Sequence, residues 1–191
     1  AADDAAGLAV ATGMTTQIMG TDMAIRNAND GTSLIQTVDG ATEEVVNMLQ
    51  RMRELSIQAL NGTYSAENRA QMDEEFQQLR TEIHRVADTT KFNGQPLMEA
   101  SASNAGPIEL HVGWETDAAN KISIDLINFK ILSAVASGNV ASIGNVSAAS
   151  TAIGRIDNTL SVIKTTRAQW GALQNRLDYT VSNLANVNEN M

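Results

Sequence analysis

Two histidines and 22 acidic side chains are the groups in this 191-residue chain best able to carry acid–base or metal chemistry. His84 comes two residues after Glu82, and His111 lies between Leu110 and Val112. Neither has a second ligand at helical spacing of the HExxH kind, so no metal site is expected. The adjacent Asp3 and Asp4 could form an acid–base pair, but carboxylates near a helix start are better explained by the positive end of the helix dipole. Trp114 and Trp170 could stack on a ligand, yet their large apolar area makes packing anchors the simpler role. No GxGxxG, GxxxxGKS or GxSxG phrase occurs, and the absence of cysteine removes thiol, disulfide and cysteine–zinc chemistry. The chain reads as a non-enzyme without catalytic, cofactor or metal residues.

Bulk properties narrow the partners. A net charge of −9 and a pI near 4.6 disfavour a nucleic-acid binder, which needs a basic stripe to meet phosphates. No run reaches the roughly 18 apolar residues of a membrane span, and no basic-then-apolar signal peptide opens the chain. Aromatics are only 4% of residues, a composition suited to helices that pack closely.

The elements that would position such side chains come from periodicity. Leu34, Val38, Ala41, Val45, Met48, Met52, Leu55 and Ala59 step by four and three, a heptad seam with Asp39, Glu43, Glu44, Arg51, Arg53 and Glu54 between its members. An apolar stripe of that length must be buried against partner helices. A second seam, Ala11, Met14, Ile18, Thr21, Ile25, Ala28, Thr32 and Ile35, is out of register with the first, which predicts a shift near Asn29-Asp30-Gly31. No proline interrupts the first 60 residues, so one helix of about 55 residues and roughly 80 Å is expected, ending at Asn61-Gly62. Ser65 is the expected N-cap of a second helix, with Glu67 in its first turn and Met72, Phe76, Leu79, Ile83 and Val86 along its seam. A short link makes it antiparallel to the first. It should fade at Thr89-Thr90, before a turn at Phe92-Asn93-Gly94.

Ile108, Leu110, Val112 and Trp114, then Ile122, Ile124 and Leu126, alternate with polar residues or glycine, as in a β-hairpin with a loop over 115–121. Residues 133–151 are an Ala/Ser/Gly/Asn-rich connector. A third seam follows through Ala149, Ile153, Ile156, Leu160, Ile163, Trp170, Leu177, Val181 and Leu184, with Arg167 and Gln174 at two seam positions. The expected fold is mainly α: an elongated antiparallel bundle of three long helices with a small β-hairpin segment between the second and third. Its parts would be two helices over 1–90 with a break near 61–64, the β segment over 91–132, the connector over 133–148 and the last helix over 149–191, all one domain.

Several phrases, taken in order, resemble those of bacterial flagellins: DDAAGLAV at 3–10, MTTQIMG at 14–20, RNANDGTSLIQTVDGA at 26–41, LQRMRELSIQALNGTYS at 49–65, FNGQPL at 92–97, LHVG at 110–113 and RAQWGALQNRLDYTVSNLAN at 167–186. The resemblance runs from end to end. It implies a self-assembling structural subunit of the flagellar filament, used for motility and secreted through the flagellar export apparatus with the help of a chaperone. It places this chain in the rod domain, without the terminal helices that form the innermost tube, so this fragment is expected to be monomeric. The short connector would replace the variable outer domains.

The resemblance also implies a recognition site. In flagellins detected by a vertebrate Toll-like receptor, the matching positions are Arg51, Leu55 and Glu75, of which Leu55 sits on the seam. The competing function is a flagellin-like cell-surface adhesin or ligand-binding protein; saturable ligand binding on cells without filaments would distinguish it.

Overall fold

The computed structural model describes residues 2–98, 107–129, 132 and 142–190. Helix α1 spans Ala2–Leu60, α2 spans Ala66–Thr89 and α3 spans Val146–Glu189. Two short antiparallel strand pairs complete the described elements: β1 (Lys91–Phe92) with β2 (Gln95–Pro96), and β3 (Ile108–His111) with β4 (Lys121–Ile124). The fold is therefore mainly α with small antiparallel strand pairs, as the sequence predicts. The chain divides into two compact units, and α1 and α3 contribute to both.

Local chemistry explains the element ends. The Ser65 hydroxyl accepts from the Asn68 amide at 3.2 Å while the Asn68 side chain accepts from the Ser65 amide, so two otherwise orphaned donors are satisfied reciprocally. Between β1 and β2, Asn93 and Gly94 both have positive φ, 48° and 78°, the two-residue turn that an Asn-Gly pair favours. Helix α3 starts three residues before its first expected seam residue. Its cap is Asn145, whose side-chain oxygen accepts from the Ala148 amide at 2.8 Å.

The first unit comprises Ala1–Ile35, Pro107–Asp125 and Trp170–Met191. Along α1 its buried positions are Thr21, Ala24, Ala28, Gly31, Leu34 and Ile35. Most are small, and that lets the β3–β4 hairpin come close. A Cβ on Gly31 would lie 2.1 Å from Leu110 Cδ1, and one on Gly20 would lie 2.7 Å from Trp114 Cβ. Asn27 donates to the His111 carbonyl at 2.8 Å, fixing the hairpin along the same face. Ile122 and Ile124 of β4 are buried, and the indole of buried Trp170 donates to the Asp125 carbonyl at 2.7 Å.

The second unit comprises Gln36–Gly106 and Leu126–Gln169. Its buried α1 positions are Val38, Thr42, Val45, Leu49, Met52, Leu55, Ser56 and Ala59. Around them are Phe76 and Ile83 of α2, Leu97, Met98, Phe129 and Ile143 from the connecting segments, and Ile156 and Ile163 of α3. Each fully buried large side chain of this kind contributes about 1.5–3 kcal/mol by leaving water. Partner positions rise along one helix as they fall along the other: Ala59 meets Arg69 and Arg51 meets Glu75, while Asp39 meets Arg167 and Arg53 meets Asp157. Both α2 and α3 thus run antiparallel to α1 within this unit.

Two sequence expectations about the seams are corrected. First, Ala41 and Met48 are only part-buried, whereas Thr42 and Leu49 are fully covered. Secondly, the buried positions Thr21, Ala24, Ala28, Gly31, Ile35, Val38, Thr42, Val45, Leu49, Met52, Ser56 and Ala59 keep one three-four count, so α1 has no register shift near residue 30. The polar members fit because their hydroxyls are satisfied internally. Thr21, Thr42 and Ser56 donate to the carbonyls of Gln17, Val38 and Met52, one turn back, at 2.7–2.8 Å. In α3 the corresponding substitutions are buried Ala152 and Thr159 for part-buried Ile153 and Leu160. Much of the expected connector, 133–141, lies outside the described residues.

Candidate functional site

The surface of the second unit is organised by ion pairs between helices. Arg51 on α1 donates to Glu75 on α2 at 2.8 Å and to Glu54 one turn along α1 at 3.1 Å. All three side chains are about half-exposed or more. The Glu75 contact, more than the Glu54 contact, raises the Arg51 pKa above its ordinary value. Leu55, the third residue of the expected recognition site, is 2% exposed and forms part of the core. The structure therefore brings Arg51 and Glu75 together at the surface and buries Leu55.

Two further pairs join α1 to α3. Arg53 holds both oxygens of Asp157, at 2.7 and 3.4 Å, and this hydrogen bonding keeps the Asp157 carboxyl below its usual range. Arg167 holds both oxygens of Asp39, at 2.6 and 3.0 Å, with Glu43 at 3.9 Å. Such a bidentate pair fixes direction as well as distance. Arg167 thus fills an expected seam position by laying its stem along the bundle and carrying its charge to a partner at the edge. A groove of about 560 Å³ beside this pair is floored by Val46, Leu160 and Ile163.

The first unit has a different surface. Large apolar residues that stay exposed among the described residues include Leu8, Val10, Met14, Met19 and Met23 on α1, Trp114 after β3, and Tyr179 and Val187 on α3. Only Ile57, Val146 and Val162 in that class belong to the second unit. Met19 and Met23 are one turn apart and share a face of α1, with Leu8 three turns before Met19 on the same side. Trp114 is 51% exposed although its Cβ leans against Gly20, so it is a weaker packing anchor than Trp170.

His84 lies on α2 and His111 pairs with Lys121 across the hairpin. No grouping of three or more metal-ligating side chains occurs among the described residues. Among those residues, too, no helix is long and apolar enough to cross a membrane.

Sequence reasoning missed Asp73. Its carboxylate accepts from the Ile143 amide at 2.7 Å and from the Ser142 hydroxyl at 3.2 Å, tying the segment before α3 to α2. An acidic residue among several on a helix carries no signal of such a distant backbone partner.

The described fold is thus one of long helices, stapled by charge in the second unit and carrying uncovered apolar side chains in the first. A family model described as the bacterial flagellin N-terminal helical region matches residues 1–103. A flagellin of Halalkalibacterium halodurans is 43% identical over 192 residues, covering 100% of this chain and 68% of that protein. A flagellin of Treponema pallidum is 37% identical, covering 100% of this chain and 70% of its own length. Among solved structures, Bacillus cereus flagellin superposes with a TM-score of 0.71 at 32% identity, over 83% of this chain and 88% of that one. The chain belongs to the bacterial flagellin family. Its role is that of a structural subunit of the bacterial flagellar filament, which the family builds outside the cell from copies of itself; the adhesin reading is not favoured.

Proposed function

We propose that this flagellin packs against neighbouring subunits chiefly through the outward face of its first unit, while its second unit supplies a self-sufficient core. One observation carries the reading: apart from Ile57, Val146 and Val162, the large apolar side chains left in solvent among the described residues belong to the first unit. Leu8, Met19 and Met23 share one face of α1, and apolar side chains grouped in this way mark a surface for association. A patch meeting a different patch on the next copy gives a contact that does not close, and repetition gives a filament.

In this reading the subunit is secreted through the flagellar export apparatus with a chaperone and reaches the bacterial cell surface. Residues 133–148 stand where other flagellins insert variable outer domains. A vertebrate Toll-like receptor would meet the Arg51–Glu75 pair, with Leu55 supporting it from beneath. Arg51→Ala or Glu75→Ala should then lower receptor activation while leaving the helical circular dichroism unchanged; full activation by both variants would remove the receptor from the scheme.

The subunit role is tested by expressing the encoding gene in a bacterium deleted for its own flagellins, with electron microscopy and a swimming assay. Filaments that propel the cells are expected. Abundant surface protein without filaments would overturn the reading in favour of the adhesin.

A further inference from the structure

The two units hold equal numbers of methionines but expose them differently, Met48 and Met72 of the second unit being part-buried. Met14, Met19 and Met23, all on the first unit's share of α1, are 39%, 65% and 51% exposed, whereas Met52 and Met98 of the second unit are 0% exposed. A thioether is an apolar, adaptable contact group while reduced, and a polar one once it carries oxygen. Met19 and Met23 also lie within the apolar face assigned above to contact between copies, and that second part of the inference rests on that assignment.

We propose that Met19 and Met23 are oxidation sites through which two-electron oxidants of the peroxide class reversibly weaken association between copies of this chain. In the reaction the sulfur lone pair attacks the terminal peroxide oxygen. An S–O bond forms as the O–O bond breaks, and the leaving hydroxide takes up a proton to become water. Sulfur loses two electrons and the peroxide gains them. Each sulfoxide places a strong acceptor and a new dipole on a surface that otherwise excludes water, and a buried acceptor without a donor is costly. A sulfoxide reductase reverses the change by passing two thiol electrons to the sulfoxide, releasing water and leaving a disulfide in the reductant. The buried Met52 and Met98 are spared, because the oxidant must reach the sulfur.

The order of oxidation is the first test. Dissociated protein is exposed to hydrogen peroxide, and sulfoxide at each methionine is followed by peptide mass spectrometry. Met19 and Met23 should react about tenfold faster than Met52 and Met98, in line with exposure-controlled oxidation. Equal rates would overturn the assignment of the sites. Secondly, because residues 1–191 alone are expected to stay monomeric, self-association is measured on the whole product of the encoding gene: oxidised protein is compared with untreated protein, with protein restored by methionine sulfoxide reductase, and with a Met19→Leu/Met23→Leu variant. The expected pattern is a loss of about tenfold in association on oxidation, recovery after reduction, and indifference of the leucine variant to peroxide. Unimpaired association of the doubly oxidised protein would overturn the switch. Failure of untreated protein to associate would instead overturn the assigned contact role, and with it the switch, while leaving the oxidation order intact.

Discussion

The two units of this flagellin use one helix in opposite ways. Along α1 the buried three-four count is the same in both, but before Ile35 it is filled by small residues, Thr21, Ala24, Ala28 and Gly31, in the first unit, whereas in the second Val38, Val45, Leu49 and Met52 alternate with the smaller Thr42, Ser56 and Ala59. Small residues let a hairpin approach the helix backbone, and they leave little apolar area buried. The second unit buries large side chains against α2 and α3 and ties its rim with Arg51–Glu75, Arg53–Asp157 and Arg167–Asp39. The first keeps Leu8, Met19, Met23 and Tyr179 in solvent. The contrast teaches that a periodic seam specifies where a helix is covered, while the size of the seam residues decides how much of its stability is internal.

The largest effect is expected where the internal core is densest. Val45→Asp places an unpaired charge in the second unit and should cost about 3–5 kcal/mol, enough to unfold that unit. A thermal melt followed by circular dichroism measures it, and an unchanged midpoint would mean that the seam lies elsewhere. In the first unit the sensitive position is a glycine. Gly31→Val drives a branched side chain into Leu110 and should cost about 1–3 kcal/mol, with loss of amide protection concentrated in β3 and β4. If the hairpin amides stay protected, close approach of hairpin and helix is not what Gly31 provides.

Charge effects are smaller. Arg167→Ala removes the bidentate pair with Asp39 and the stem that covers the bundle edge, and should lower stability by roughly 1 kcal/mol. A melt in 1 M salt, where the Debye length is about 3 Å, should narrow the gap from the unaltered protein. Smallest of all is a pH effect. Arg53 holds the Asp157 carboxyl below its ordinary range, so this pair stabilises the fold at neutral pH, and its contribution fades as the pH falls through the depressed value. Asp157→Asn should therefore flatten part of the drop in melting temperature on acidification below about pH 3.9, the ordinary Asp value. An identical acid profile for the two proteins would show that the pair contributes nothing.

Much of the fold was legible in the sequence. The end of α1 before Asn61-Gly62, the Ser65 cap, the fading of α2 at Thr89 and the hairpin strands all follow from turn chemistry and periodicity. The finer register was not, because Thr42, Ser56 and Thr159 look polar in sequence, whereas helix carbonyls satisfy the hydroxyls of the first two and let them be buried. Following only apolar letters selected Ala41, Met48 and Leu160, one position away from buried Thr42, Leu49 and Thr159. Counting the second seam through Ile25 and Thr32, both only part-buried, produces a register shift near residue 30 where buried Gly31 simply continues the seam. Arg51 and Glu75 were legible as surface residues, but their pairing joins two helices and has no local signature. Exposed Met14 reads as a seam residue because periodicity marks it as apolar but does not say whether its partner lies in the same chain.

The most direct measurement is filament assembly by a Met19→Lys/Met23→Lys variant in a host without its own flagellin, paired with a thermal melt of the purified protein. The melting curve should match that of the unaltered protein to within about 0.5 kcal/mol, as expected for exposed positions, and filaments should be absent. Filaments of normal length from the variant would contradict the assignment of this face to contact between copies.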